Sequence, residues 1–399
     1  MARKDKRDKK EKRITFFTRG SMDYIILTVV LIILACGLIM VLSASAPSSL
    51  SESGDSYKYF RRQAGAAGLG IVAMFVVSKI DYRIYKKFNW IIYIAVIVLL
   101  AITAYTPLGI EDKGAKRWLN LGFGSFQPSE LAKTGFIIFF ASILADIKKS
   151  GNIKKFLKGF VLPMAFLAPI VVIVYKGQNH LSATLLIAAI TCVQMFVAGV
   201  PIRYFIVAGV AGVTAFLSYK GIDGYLHPID PAEAAEKESF REGRMKVWKD
   251  PFSDPTGKGW QIIQSLYAIA SGSLFGLGFG ESRQKYLYLP EPHNDFIFSV
   301  VAEETGFFGC VMVILLFAIF VWRGIIIAMK SPDTFGSLIA IGITVLIGLQ
   351  TIVNIAVVTG TIPVTGMPLP FFSYGGTALV VNLATVGILL NISRSCKQK

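Results

Sequence analysis

The chain has 399 residues, of which 54% are hydrophobic and 17% charged, and its mean hydropathy is +0.58. A soluble domain carries about 25% charged residues, so composition excludes a water-soluble globular enzyme. The net charge of +16 does not point to nucleic acid, because the basic stretch 3–13 directly precedes the first apolar run. It reads as a cytoplasmic topology signal that also meets anionic membrane lipids.

Apolar runs recur along the whole chain, which describes one polytopic domain. Helical spans are predicted near 24–45, 64–79, 88–105, 128–146, 160–175, 181–199, 203–220, 295–322, 334–359 and 374–393. The expected fold class is all-α and polytopic, with about ten transmembrane helices and a long extracytoplasmic loop between the seventh and eighth. Residues 1–23 read as a cytoplasmic basic tail, 24–394 as a single transmembrane domain that includes loop 221–294, and 395–399 as a cytoplasmic C-terminal tail. The first span has no small-residue cleavage site behind it and reads as an uncleaved helix. An even number of spans puts both termini on one side, and the basic loops at 80–88, 146–158 and 323–330 mark that side as cytoplasmic. The opposite face carries Lys58, Arg61, Arg62, Lys113, Lys116 and Arg117. The positive-inside tendency disfavours this placement, so these are either solvated loop charges or an anion site.

Three clusters could carry chemistry. In 113–133 (KGAKRWLNLGFGSFQPSELAK), Pro128 suits a first helical position and Glu130 the first turn, with Lys133 at i+3 on the same face. Charges that deep in a span pair with each other or face an interior cavity. In 259–304, Gln261, Gln264 and Ser265 mark a polar helix face. The run Gly276, Gly278, Gly280 lacks the strand-then-helix setting of a dinucleotide site. Arg283 and Lys285 add cations, and Pro290 and Pro292 stop any helix ahead of Asp295. Asp295 reads as a helix cap or as a base at the membrane surface. Glu303 and Glu304 lie two turns deeper. In 360–376 (GTIPVTGMPLPFFSYGG), three prolines and four glycines preclude a regular span. Irregular backbone at membrane depth lies inside protein or at a water-filled cavity. Gln350 and Asn354, one turn apart, predict interhelical hydrogen bonds. The four cysteines and three histidines (His180, His227, His293) show no metal-ligand spacing, so no metal site is expected.

Taken in order, KRWLNLG…QPSELAK at 116–133, DPFSDPTGKGWQIIQSL at 250–266, GESRQKYLYLPEPHNDFIF…EETG at 280–306 and MPLPFFSYGG at 367–376 resemble the SEDS family (shape, elongation, division and sporulation) of bacterial cell-wall proteins. The resemblance spans about 20–394. ESRQKYLYLPE and the ending NISR look closer to the division and sporulation branch, FtsW and SpoVE, than to the elongation branch, RodA. It implies a peptidoglycan glycosyltransferase that polymerises lipid II, an undecaprenyl-diphosphate-linked disaccharide pentapeptide, at the outer face of the cytoplasmic membrane. A class B penicillin-binding protein and other division or elongation proteins are the implied partners. The family's essential aspartate falls on Asp295, and its intramembrane Glu and Lys on Glu130 and Lys133. The chain departs from the pattern at Asn294, where Thr is commoner. It departs again at Gln178-Asn179-His180-Leu181-Ser182, where many members read Gln-Pro-Asp-Leu-Gly, so no role is carried to His180.

That reaction turns an α-linked glycosyl diphosphate into a β-linked polymer. One inversion needs one base and stabilisation of the leaving diphosphate, and no second catalytic carboxylate. Asp295 is the expected base. Arg61, Lys116, Arg117, Lys133, Arg283 and Lys285 are the expected phosphate contacts, and Glu130, Gln264 and Ser265 complete the expected substrate-binding set. The residues name no cofactor, and a divalent cation, Mg or Mn, would suit a leaving diphosphate. Two rival readings fit part of the pattern. Intramembrane charges and broken helices also suit a lipid II flippase, and the implied partnership suits a non-catalytic divisome scaffold.

Overall fold

The computed structural model describes residues 20–112, 115–120, 125–147, 151–178, 181–207, 209, 245, 247–257, 259–286 and 288–396. The chain is a helical membrane protein with the following order. Helix α1 is Tyr24–Ser53, α2 is Lys58–Lys79, α3 is the short Arg83–Lys87 and α4 is Asn89–Tyr105. A small antiparallel sheet follows, with β1 Gly109–Asp112, β2 Ala115–Asn120 and β3 Ser125–Phe126. Next come α5 Pro128–Leu144, α6 Asn152–Tyr175, α7 Leu181–Val197, α8 Trp260–Ser271, α9 Ile297–Lys330, α10 Thr334–Val358 and α11 Gly376–Ser395. Six of these (α1, α2, α6, α9, α10 and α11) are long and apolar enough to cross a membrane, and α4 and α7 are shorter apolar helices.

Several boundaries move from the sequence-based expectation. α1 runs on to Ser53, α2 starts at Lys58, and α6 starts at Asn152, each about two turns beyond the apolar run. Helix geometry outlasts hydrophobicity there, because a helix emerging into water still satisfies its own backbone. The seventh expected span is helical at 202–207, and its remainder lies outside the described residues, as do 221–244 of the long loop. The expected all-α class is corrected by the sheet at 109–126. Gly109 pairs with Leu119 and Ile110 with Trp118, and Leu119 pairs in turn with Phe126.

The packing places α5 centrally. Nearly every residue of α5 is buried, Glu130 and Lys133 included, as expected of a helix surrounded by protein. α10 lies beside it. A Cβ at Gly342 would meet Ile137 Cγ2 at 2.7 Å, and Gln194 of α7 donates Nε2 to both Ile137 O and Leu338 O at 3.0 Å. α2 packs along α11, and α9 and α10 form a hairpin whose turn residue Asp333 caps α10 through Gly336 N at 2.8 Å. The two ends of the described chain meet. Asp23 N donates to Ser393 Oγ at 2.9 Å, and Arg394 Nη1 donates to Gly20 O at 2.8 Å.

Candidate active site

Asp295 sits outside any helix. α9 begins at Ile297 with Phe296 in the cap position, so the helix-cap reading of Asp295 does not hold. Its backbone is fixed by the segment 360–375, which is non-helical as the prolines require. Asn354 of α10 donates Nδ2 to Asp295 O and to Met367 O, both at 2.7 Å. Ser373 Oγ donates to Asn294 O at 2.7 Å, and Tyr374 N donates to His293 O at 2.8 Å. From α2, Gln63 donates Nε2 to Ser373 O and accepts from Gly375 N, each at 3.1 Å. One helix amide and one α2 side chain thus bind two irregular segments into a single support. Gly366 belongs to it by necessity. Its φ of +68° disfavours any side chain, and a Cβ there would lie 3.4 Å from Asp295 Oδ2. The His293 ring packs against Tyr59 at a tilt of 33° with 4.7 Å between centroids, and meets Tyr374 at 5.6 Å. Burial holds its imidazole below its ordinary pKa, against the opposing pull of Glu291 and Glu52.

The loop that leads to Asp295 is pinned at its other end to α9. Gly306 breaks α9 with φ +65° and ψ −165°, and the backbone groups freed by the break bond to the loop. Phe307 N and Phe308 N donate to Ser273 O and Leu274 O at 3.0 and 3.2 Å. Leu277 N and Gly278 N donate to Glu303 O and Glu304 O at 2.9 and 3.1 Å. The crossing is tight, since a Cβ on Gly276 would lie 2.1 Å from Glu304 O. This backbone approach accounts for Gly276, and positive φ values of 108° and 85° account for Gly278 and Gly280. Glu303 accepts from Ser282 Oγ, Arg283 N, Gln284 N and Ser271 Oγ at 2.5 to 3.3 Å.

A cavity of about 970 Å³ opens beside Asp295. Its charged lining comprises Arg62 of α2, Arg117 of β2, Glu130 and Lys133 of α5, Glu291 and Asp295. Lys133 Nζ lies 2.8 Å from both carboxylate oxygens of Glu130, and both side chains are buried. The expected i, i+3 pair is therefore real and faces the cavity. Trp118, Gln261, Gln350 and Tyr374 line it as well.

The other expected substrate contacts fall elsewhere. Arg61 points away from the cavity and pairs with Asp55 at the surface, while its neighbour Arg62 lines the wall. Successive residues of a helix differ by about 100°. Lys116 and Arg283 are also off the cavity wall, as are Gln264 and Ser265. Ser265 is committed to Ser299 Oγ and Val358 O at 2.7 Å. Lys285 is buried and satisfied three times over, by Glu304 Oε1 at 2.8 Å, Ser43 Oγ at 2.9 Å and Gly280 O at 2.6 Å. An ammonium so engaged is a structural partner for Glu304 and lies off the cavity wall. Lys113 lies outside the described residues. Among the described residues no cluster of three or more His, Cys, Asp or Glu could hold a metal ion.

A bundle of membrane-crossing helices that wraps a charged cavity, with an aspartate on a braced irregular loop at its mouth, defines a polytopic membrane protein with an enclosed polar site. The family model for the cell cycle proteins FtsW, RodA and SpoVE matches residues 23–398. Stage V sporulation protein E of Bacillus subtilis is 39% identical over 377 residues, covering 94% of this chain and 98% of that protein. A probable peptidoglycan glycosyltransferase FtsW of Geobacter sp. is 37% identical over 371 residues, covering 93% and 96%. Among solved structures, RodA of Thermus thermophilus matches with a TM-score of 0.67 at 28% identity, covering 95% of this chain and 98% of that one. A chain of a peptidoglycan synthase complex matches with a TM-score of 0.74 at 30% identity, covering 94% and 98%. The chain belongs to the FtsW/RodA/SpoVE family.

Proposed function

We propose that this chain is a peptidoglycan glycosyltransferase that polymerises lipid II at the outer face of the bacterial cytoplasmic membrane, in division or sporulation. It crosses the membrane ten times with both termini cytoplasmic, and it works beside a class B penicillin-binding protein. The relative named a peptidoglycan glycosyltransferase and the chain of a peptidoglycan synthase complex support the activity and the partnership. The observation that carries the mechanism is Asp295 on the cavity wall, braced from behind, with Arg62 and Arg117 lining the same cavity.

In this reading the acceptor sugar hydroxyl gives its proton to the Asp295 carboxylate as its oxygen attacks the anomeric carbon of the donor. The bond from that carbon to the diphosphate breaks with inversion, and undecaprenyl diphosphate leaves. Arg62 and Arg117 carry the developing phosphate charge, a task suited to the guanidinium fork. Arg62 takes the role that sequence reasoning gave to Arg61. A divalent cation brought by the substrate would neutralise part of the diphosphate charge; among the described residues no cluster of three or more His, Cys, Asp or Glu would hold one.

The test is purified chain with its transpeptidase partner and labelled lipid II, with product length read on a gel. Asp295→Asn keeps the size of the side chain and loses the base. Its polymerisation rate is expected to fall by about 10²–10⁴-fold, with folding and partner binding retained. Near-wild-type synthesis by folded Asp295→Asn protein overturns the assignment. A wild type that moves lipid II across a membrane but makes no glycan favours the flippase instead.

A further inference from the structure

Gln350 is a polar side chain of the cavity whose position has no structural explanation so far. It lies on α10 and is 1% exposed, yet it lines the cavity. Neither end of its amide hydrogen-bonds to any described residue, and its Oε1 is fully buried. The interhelical bond expected for it is absent, whereas Asn354 one turn further on donates Nδ2 to two backbone carbonyls. A buried amide oxygen without a partner costs roughly 1–3 kcal/mol, and native structures seldom carry one without a role.

The helix register gives its depth. α5 and α10 run antiparallel, and Gly342 of α10 is level with Ile137 of α5. Eight residues further along each helix, about 12 Å, stand Gln350 on one and Ser129 and Glu130 on the other. Gln350 therefore shares a layer with the Glu130–Lys133 pair, about one helical turn below Asn354 and the carbonyl of Asp295 that it holds.

The chemistry of that layer narrows the ligand. Lys133 is neutralised by Glu130 at 2.8 Å, so the floor carries no net charge to offer a phosphate. The other cations in the lining belong to Arg62 and Arg117. An amide offers one acceptor and two donors, which matches the N–H and C=O of an acetamido group in a reciprocal pair. Apolar lining from Ala183, Leu186, Val364 and Met367 suits the acetyl methyl. We infer that Gln350 recognises a 2-acetamido group of the hexosamine substrate, holding one sugar ring beneath Asp295. This rests on the reading of the cavity as the polymerase site. It makes Gln350 a positioning and specificity residue, with no part in proton transfer.

The experiment uses wild-type chain with its transpeptidase partner and three substrates: lipid II and two analogues, each with one of its two 2-acetamido groups replaced by hydroxyl. KM and kcat are measured, and direct binding of the same three ligands is measured in parallel. Wild type is expected to show at least a tenfold higher KM, or weaker binding, for one analogue, with kcat changed little. Gln350→Met, which keeps length and volume, is expected to raise KM for lipid II by a similar factor and to stop distinguishing that analogue. Gln350→Glu, which keeps the acceptor and loses the donors, serves where Gln350→Met does not fold. Equal treatment of all three ligands by wild type overturns the inference, as does full discrimination by a folded variant. If wild type binds with discrimination but makes no polymer, recognition stands and the polymerase reading falls.

Discussion

Two buried lysine–glutamate pairs with the same 2.8 Å separation lie in this molecule, and they are built for different ends. The Lys285 ammonium has three acceptors, Glu304, Ser43 of α1 and Gly280 O, and Ser43 also donates to Glu304 Oε1. Glu130 and Lys133 have only each other among the described residues, and both line a large cavity. Desolvating two charges is repaid only when their remaining hydrogen-bonding capacity is also filled. In the first pair the protein fills the capacity of the ammonium; in the second, among the described residues, it leaves the ammonium with Glu130 alone beside the cavity. The difference separates a rivet from a site, although distance and burial are alike in both.

That contrast is open to direct attack. The largest effect on folding is expected at the rivet. Lys285→Met leaves Glu304 as a buried charge without its partner and should cost about 3–5 kcal/mol, seen as a large drop in thermal midpoint in detergent. The double variant Lys285→Met/Glu304→Leu should recover most of that loss. A single variant that melts like wild type would show that the pair fastens nothing. At the cavity pair the order of effects is expected to reverse, with activity falling more than stability. Glu130→Gln and Lys133→Met each lower polymerisation by about tenfold to a hundredfold, the worth of a charged hydrogen bond at about 1.5–3 kcal/mol, with a smaller change in melting. The double variant should be no worse than the worse single. Strictly additive losses in activity would mean the two side chains act separately.

The smallest effect is a pH slope. His293 is buried at the junction of the two irregular segments, with its pKa depressed by that burial. The unfolded chain takes up this proton first as pH falls. The stability from a neutral His293 is thus complete above its unfolded value near 6.5 and shrinks as pH drops from there toward the folded value. Melting midpoints between pH 7.5 and 5 should show a decline that is shallower in His293→Phe. Identical slopes would remove His293 from the account.

Local spacing carried the parts of the site that lie within one turn of helix. Pro128, Glu130 and Lys133 stand where the motif implies, and the prolines of 360–376 make the irregular segment they imply. Reasoning along the chain failed where a side chain's partner is remote. Ser43 is 242 residues from Lys285, and no pattern near Lys285 announces that its charge is already spent. The choice between Arg61 and Arg62 turned on helix phase, which an exposed helix entry with charges on both sides leaves open. The sheet at 109–126 was hidden because its basic and aromatic residues drew attention as a charge cluster. Gln350 was visible as a polar residue in an apolar span. Its lack of a protein partner is a property of the packed molecule alone.

The break at Gly306 divides α9 into two mechanical parts. The longer piece, 307–330, measures about 36 Å at 1.5 Å per residue, enough to traverse a hydrocarbon layer of about 30 Å with some tilt. The shorter piece, 297–305, carries Glu303 and Glu304 and hence the loop that ends in Asp295. The joint is held, with four backbone hydrogen bonds tying it to the loop, so a change in the tilt of the long piece is passed on toward the aspartate. Polymerisation rates in bilayers of graded acyl-chain length should accordingly vary in the wild type. Gly306→Ala, whose Cβ would lie 2.3 Å from Gly276 N, should break the crossing and lower activity and melting midpoint together, so the glycine serves as a coupling between membrane thickness and chemistry.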